Sequence, residues 1–177
     1  ADNDGIGDTP YYIDENNNDS FPLMQPWENY MPITFITSLS IGWSLFSLPF
    51  NATIPLQNII VSFNNTNYTW QEAIESNLIM PWIYTINRTT GMYETVDELK
   101  PGYGYWIYCY MPVELWVNGT YPEGNYINPS IGWNLIGWFN NITKASLLGQ
   151  NITGCTIVSK WNATLQQYQS YLVGISP

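Results

Sequence analysis

The chain has no histidine, four basic residues (Arg88, Lys100, Lys144 and Lys160) and two cysteines among 177 residues. Without histidine it lacks the side chain that titrates near neutrality and the commonest nitrogen ligand of zinc, copper and non-haem iron. Histidine-based triads and most transition-metal sites are therefore excluded. Four bases against fourteen acids leave a net charge of −10. No basic patch is available to hold phosphate, so neither nucleic acid nor an anionic membrane is an expected partner. No apolar run approaches the roughly 18 residues that a bilayer-spanning helix requires, so no membrane span is expected. Residue 1 opens no signal-peptide pattern, which predicts a mature or excerpted chain.

Charge of either sign is scarce: 10% of residues are charged, against about a quarter in ordinary soluble domains. Aromatic residues reach 16% and hydrophobic residues 45%, enough to build a core in one ordinary domain or two small ones. Polarity must then come from uncharged groups, and asparagine supplies much of it. Asn-x-Ser/Thr acceptor motifs occur at Asn18, Asn51, Asn64, Asn67, Asn87, Asn118, Asn141, Asn151 and Asn162, while proline follows Asn128 and blocks it. Compositional bias produces some of these. Their spread along the chain predicts N-linked glycans and an extracellular, cell-surface location, where sugars solvate a surface short of charge. Cys109 and Cys155 both lie in apolar segments. A disulfide and two buried free thiols are both compatible with the sequence.

Self-similarity organises the chain. "SIGWSLFSLPFN" at Ser40–Asn51 returns as "SIGWNLIGWFNN" at Ser130–Asn141, 90 residues later. "IYTINRTTGMYETV" (Ile83–Val96) likewise matches "VSKWNATLQQYQSYLV" (Val158–Val173), with Asn87 and Asn162 each followed six residues on by Tyr93 and Tyr168. Short runs of aromatic and β-branched residues predict strands, and "NRTTG" predicts a hairpin turn between two of them. "GYWIYCYM" and "VELWVNG" predict two further strands. In "TWQEAIESNLI", Trp70, Ala73, Ile74 and Leu78 recur at helical spacing behind Thr69 as N-cap. The corresponding helix of the second copy is expected to be shorter or absent, because that stretch is shorter. The expected fold is mainly β: two related small β-sandwich or barrel-like modules with short helices, the second lacking its last strands. The boundaries are an acidic extended segment over 1–30, a first module over 31–125 and a truncated second module over 126–177.

A sheet that stops short leaves unpaired backbone and apolar side chains that something must cover. Three sources of cover are open: a continuation of the polypeptide, a strand lent by another copy of the chain, or the chain's own extended segment around "SFPLMQPWENYMPITFITSLS". Strand exchange between copies generates an open-ended homopolymer.

Six of the fourteen acidic residues fall in the first nineteen positions. Alternating carboxylates with a glycine at the sharp turn suit calcium, which takes six to eight oxygens. Asp2, Asp4 and Asp8 would supply carboxylates and Ile6 a backbone carbonyl, with Asp14, Glu15 or Asp19 completing the shell. A solvated acidic leader without an ion is the alternative.

"DNDGIGDTPYYIDENNNDSFPLMQP" resembles the Asp-rich terminal signature of right-handed β-helix surface proteins, the carbohydrate-binding and sugar-hydrolase group with periplasmic copper-binding relatives. "IGWSLFSLPFN…KPGYGYWIY" is similar to the Gly-Trp-Asn-Leu-Ile-Ser-Leu-Pro modules of archaeal cell-surface and S-layer-associated proteins, with Ser44 in place of asparagine in the first copy and Asn134 in the second. The resemblance implies an extracellular, glycosylated, structural or adhesive role. The β-helix rungs that would carry sugar-cleaving or copper chemistry are missing from the sequence.

Three functions follow in order of expectation. The first is a self-assembling structural protein of a filament, sheath or S-layer, with other copies of itself as partners. The second is a calcium-dependent carbohydrate-binding or adhesion module for cell-surface glycans, with Trp27, Trp82 and Trp116 as stacking platforms. The aromatics of the "GW" and "YGYW" repeats are expected in the core instead. The third is a hydrolase, for which Glu72, Glu75, Glu94, Asp97 and Glu98 are the mid-chain carboxylates. No catalytic residue is assigned, and the chain is expected not to be an enzyme.

Overall fold

The computed structural model describes residues 11–14, 17–19, 33–50, 52–120, 127–137 and 145–174. It is mainly β. In chain order the strands are β1 (Tyr11–Asp14), β2 (Asn17–Asp19), β3 (Ile33–Leu39), β4 (Gly42–Phe46), β5 (Ile54–Pro55), β6 (Ile60–Phe63) and β7 (Thr66–Thr69). After helix α1 (Trp70–Glu75) come β8 (Ile83–Ile86), β9 (Tyr93–Val96), β10 (Glu98–Leu99), β11 (Tyr105–Cys109) and β12 (Val113–Gly119). Helix α2 (Ala145–Asn151) precedes β13 (Ile157–Asn162) and β14 (Gln167–Leu172).

Two four-stranded antiparallel sheets, ordered β4-β11-β8-β9 and β3-β12-β6-β7, form a sandwich. Side chains alternate across each strand, so one face of each sheet turns inward. Along β11, Tyr105, Ile107 and Cys109 face the core, and along β12 Val113, Leu115 and Val117 do the same, all of them buried. Burying such side chains is worth roughly 1.5–3 kcal/mol each, and that term holds the two sheets together.

Local chemistry sets the connections. Asn64 and Asn65 both adopt positive φ (49° and 62°) between β6 and β7, the conformation a two-residue hairpin loop requires and asparagine tolerates. Helix α1 starts where expected: the Thr69 hydroxyl accepts from the Glu72 N–H while the Glu72 carboxylate accepts from the Thr69 N–H. Those bonds hold the Glu72 carboxyl below its ordinary pKa. The Tyr105 hydroxyl, buried in the core, accepts from the Lys100 N–H (2.6 Å) and donates to the Lys100 carbonyl (3.2 Å), pinning the loop that enters β11.

The second copy of the repeat departs from the first. β4 is a strand paired with β11, whereas the corresponding residues around Trp133 form no strand beyond a bridge from Ile136 to Tyr103. The Asn134 side chain accepts from the Ser130 N–H and donates to the Ser130 and Gly132 carbonyls, folding the segment back on itself. Side-chain bonds to local backbone compete with strand pairing, and Ser44, at the same place in the first copy, makes only one long bond of 3.5 Å to Ser40. Trp43 is half-buried beside the small cluster of Ile86, Trp106 and Leu135 rather than in the sandwich core, and Trp133 is 64% exposed, so the expectation of a core tryptophan holds for neither "GW" copy. Helix α2 is also a correction: at seven residues against six for α1 it is neither absent nor shorter. Among the described residues of 126–177, the only strands are those of the β13-β14 hairpin.

Candidate functional site

The outward face of the β4-β11-β8-β9 sheet is aromatic. Trp43 lies opposite Tyr108, Leu45 opposite Trp106, and Trp106 opposite Tyr84. The β13-β14 hairpin lies on this face. The Trp161 ring meets Trp106 at 4.8 Å and Tyr168 at 5.1 Å, both edge-on, and Tyr168 reaches Trp106 at 6.1 Å. Edge-to-face contacts of this kind add about 0.5–1.5 kcal/mol each beyond area burial. Burial, with Tyr93 close by, holds the Tyr168 hydroxyl above its ordinary pKa, so the tyrosines matched in the sequence repeat lie near each other across the two hairpins. Segment 127–137 straps the same sheet. Gly104 N–H donates to the Leu135 carbonyl, and the Arg88 guanidinium stacks on Tyr103 at 3.7 Å while donating to the Asn128 and Gly102 carbonyls.

The four outer strands of the sandwich are treated differently. β4 is plugged: the Gln166 amide oxygen accepts from the Trp43 N–H, and its nitrogen donates to the Trp43 carbonyl, each at 2.9 Å. The Trp161 indole N–H donates to the same carbonyl at 2.8 Å. A side-chain amide thus stands in for a neighbouring strand. Gly42, at φ +93°, lets it approach, since a Cβ there would sit 2.9 Å from the amide oxygen. β7 carries exposed Asn67 of an acceptor motif, and β9 carries Glu94, which accepts from Asn87 Nδ2 at 2.8 Å. β3 has no such device. Its sequence, ITFITSL, contains no charge, proline or glycine, and no described residue pairs with its outer side. Natural edge strands are ordinarily blunted by lysine, proline or a bulge, and a flat uncharged one is a template for another chain.

The outward face of the β3-β12-β6-β7 sheet is polar with one apolar row. Ile36, Trp116 and Ile60 lie side by side in register. Ile36 is 47% exposed, and the half-buried Trp116 donates from Nε1 to Glu114 at 2.9 Å. At the Glu114 end of this face, Ser38, Ser62 and Asn64 help to line an open cleft of about 360 Å³.

Of the acceptor asparagines, Asn64, Asn67, Asn118 and Asn151 are exposed, and Asn87 and Asn162 are half-buried. Asn87 Oδ1 accepts from the Thr89 and Thr90 N–H groups and Asn162 Oδ1 from the Leu165 N–H, so both serve hairpin turns. Asn18 lies in β2 and Asp14 in β1, while Asn51, Asn141, Trp27, Asp2, Asp4, Ile6 and Asp8 fall outside the described residues. Among the described residues no group of three or more His, Cys, Asp or Glu side chains could hold a metal ion. Nor is any described helix long and apolar enough to cross a membrane. The mid-chain carboxylates are scattered: Glu75 accepts from Gln71, Glu98 pairs with Lys100 at 3.0 Å, and Glu72 and Glu94 are engaged as above. Trp82, 53% exposed, remains open as a platform. Ile36 and Gln166 were not singled out in the sequence. The uncharged run of β3 was a usable signal for the first, but nothing local marked the second.

Cys109 and Cys155 are free thiols, not the disulfide that the sequence allowed. Cys109 is buried in the sandwich core, whereas half-exposed Cys155 follows α2 and donates to the Ile157 carbonyl. Burial pushes the Cys109 thiol up to about 12, and it pushes the Tyr105 hydroxyl to about 12 against the lowering bond from Lys100. The folded chain therefore keeps two protons that the unfolded chain releases near pH 8.5 and 10. Stability should be complete below about pH 8.5 and fall as pH rises toward 12. Melting curves taken across that range should show the decline, and Cys109→Ala should flatten its lower part. No family model, curated protein or solved structure matches this chain.

Proposed function

We propose that the chain is an extracellular, glycosylated structural protein that assembles with copies of itself at a cell surface through β-edge pairing. The observation that carries this reading is the contrast between β4, whose edge is occupied by Gln166, and β3, whose seven uncharged residues have no outer partner among the described residues. Paucity of charge, abundant acceptor motifs and the resemblance to archaeal surface modules support the setting. Residues 33–39 of the segment expected as a donor strand are already paired within the chain, with β12 of the first module. Edge pairing is therefore favoured over strand donation by those residues. β3 against β3 of a second copy is isologous and closes a dimer, whereas β3 against a different edge such as β9 is heterologous and propagates. The reading assigns no enzymatic role.

Sedimentation across a hundredfold range of concentration tests the proposal. Association should appear in the wild type and weaken at least tenfold in Ile36→Lys. That substitution lies on the solvent face, and its effect on folding should stay within about 0.5 kcal/mol. A wild-type monomer at every concentration would overturn the reading. Electron microscopy separates dimers from fibres. Exposed Trp82 favours a second reading, a carbohydrate-binding or adhesion module, with calcium at the acidic start. Glycan binding by a monomer that is lost in Trp82→Ala would support it.

A further inference from the structure

We infer that the outward face of the β3-β12-β6-β7 sheet is a seat for the chain's own carbohydrate, with the first sugar on Asn118 lying over Trp116. The inference rests on the glycoprotein part of the reading above and adds to it a specific site.

Glu114, Trp116 and Asn118 alternate along β12 and so share one face, with neighbouring side chains about 7 Å apart. Across the strand pair, Asn118 faces Thr34 and Trp116 faces Ile36. The Thr34 hydroxyl donates to Asn118 Oδ1 at 2.7 Å. That bond turns the carboxamide oxygen toward β3, and Nδ2, the atom a sugar would occupy, donates to no described residue. β6 pairs with β12 only as far as Ile60 opposite Trp116, so no β6 residue flanks Asn118. Both Asn118 and Thr120 of the acceptor motif are exposed.

Trp116 supplies the other half of the seat. It has no aromatic partner among the described residues, and its indole is held by the bond to Glu114. With Ile36 and Ile60 it forms an apolar row bordered by Thr34, Ser38, Ser62 and Glu114. A sugar ring has an apolar C–H face and a rim of hydroxyls, and an aromatic platform edged by hydrogen-bonding groups matches both. Two other described acceptors lack this setting. Asn87 Nδ2 is taken up by Glu94, and Asn67 stands in the Ser38–Glu114–Ser62 row, across β6 from β12.

The chain secreted from a eukaryotic host and trimmed to a single N-acetylglucosamine per site provides the test. Peptide mass spectrometry reads occupancy at Asn118. Thr120→Ala removes the acceptor motif without touching the Thr34 bond, and Thr120→Ser restores it. The trimmed wild type should melt about 3 °C above Thr120→Ala, and that difference should vanish when Trp116→Leu is present in both. If Trp116→Leu does not fold, the wild type still decides, because sugar protons over an indole resonate upfield. An occupied Asn118 whose effect is indifferent to residue 116, or whose sugar signals are unshifted, overturns the seat and leaves the glycoprotein reading standing. Occupancy at other motifs but not at Asn118 overturns the seat alone, and a chain bare at every motif overturns both.

Discussion

Trp161→Ala should release the C-terminal hairpin while the two four-stranded sheets stay folded. Trp161 is the hub of the contact: its ring touches Trp106 and Tyr168, and its N–H reaches the Trp43 carbonyl. Complete burial of a tryptophan makes its loss cost about 3–5 kcal/mol, and a half-buried one should fall at the low end, about 3 kcal/mol. That cost lands on the hairpin rather than on the sandwich, whose core lies on the opposite face of the same sheet. Local opening of such a unit is read by hydrogen exchange. Amides of β13 and β14 should exchange about a hundredfold faster, while those of β11 and β12 keep their protection. Trp161→Phe should recover most of the loss, since a ring remains against Trp106 and Gln166 still donates to the Trp43 carbonyl. Uniform loss of protection across the chain would show that the hairpin is not a separable lid.

Phe50→Ala should be the most damaging single change in the sandwich. Phe50 is 1% exposed, meets Phe35 edge-on at 6.0 Å and fills the space over Gly119. Its removal should cost about 3–5 kcal/mol, lowering the melting temperature by roughly 10 °C in a chain of this size. The complementary change tests the same fit from the other side. A Cβ at Gly119 would sit 2.5 Å from the Phe50 ring, so Gly119→Ala should overpack the site by about 1–3 kcal/mol. In a Phe50→Leu background the added methyl should cost less. Urea titration of the four proteins gives the coupling between the two positions, and simple additivity would mean that they do not share the space.

Much of the fold was legible because it is local. The Thr69 cap, the apolar spacing of α1, the β8-β9 and β13-β14 hairpins and the alternation along β11 and β12 each depend on residues within one or two turns or strands of one another. The repeat misled at Trp133, where the Asn134 side chain bonds to local backbone in a turn, whereas Ser44 at the same place in the first copy lies in a strand paired with β11. The sites were less legible than the elements. Both asparagines matched in the repeat hairpins turned out to brace their turns, which acceptor spacing alone does not reveal.

By itself the sequence determined the class of the chain: mainly β, twice patterned, poor in charge and without histidine. Periodicity reports which side of a strand is apolar because that information lies within a few residues. Only the tertiary structure decided which strands are neighbours, that Cys109 and Cys155 remain free thiols, and that the β13-β14 hairpin lies on the outside of the β4-β11-β8-β9 sheet. It alone placed Gln166 against Trp43, 123 residues away, and left β3 without an outer partner among the described residues. Backbone hydrogen-bonding capacity is nearly the same at every residue, so an edge is closed or left open by where distant side chains arrive, and that is settled only when all the strands have competed for partners.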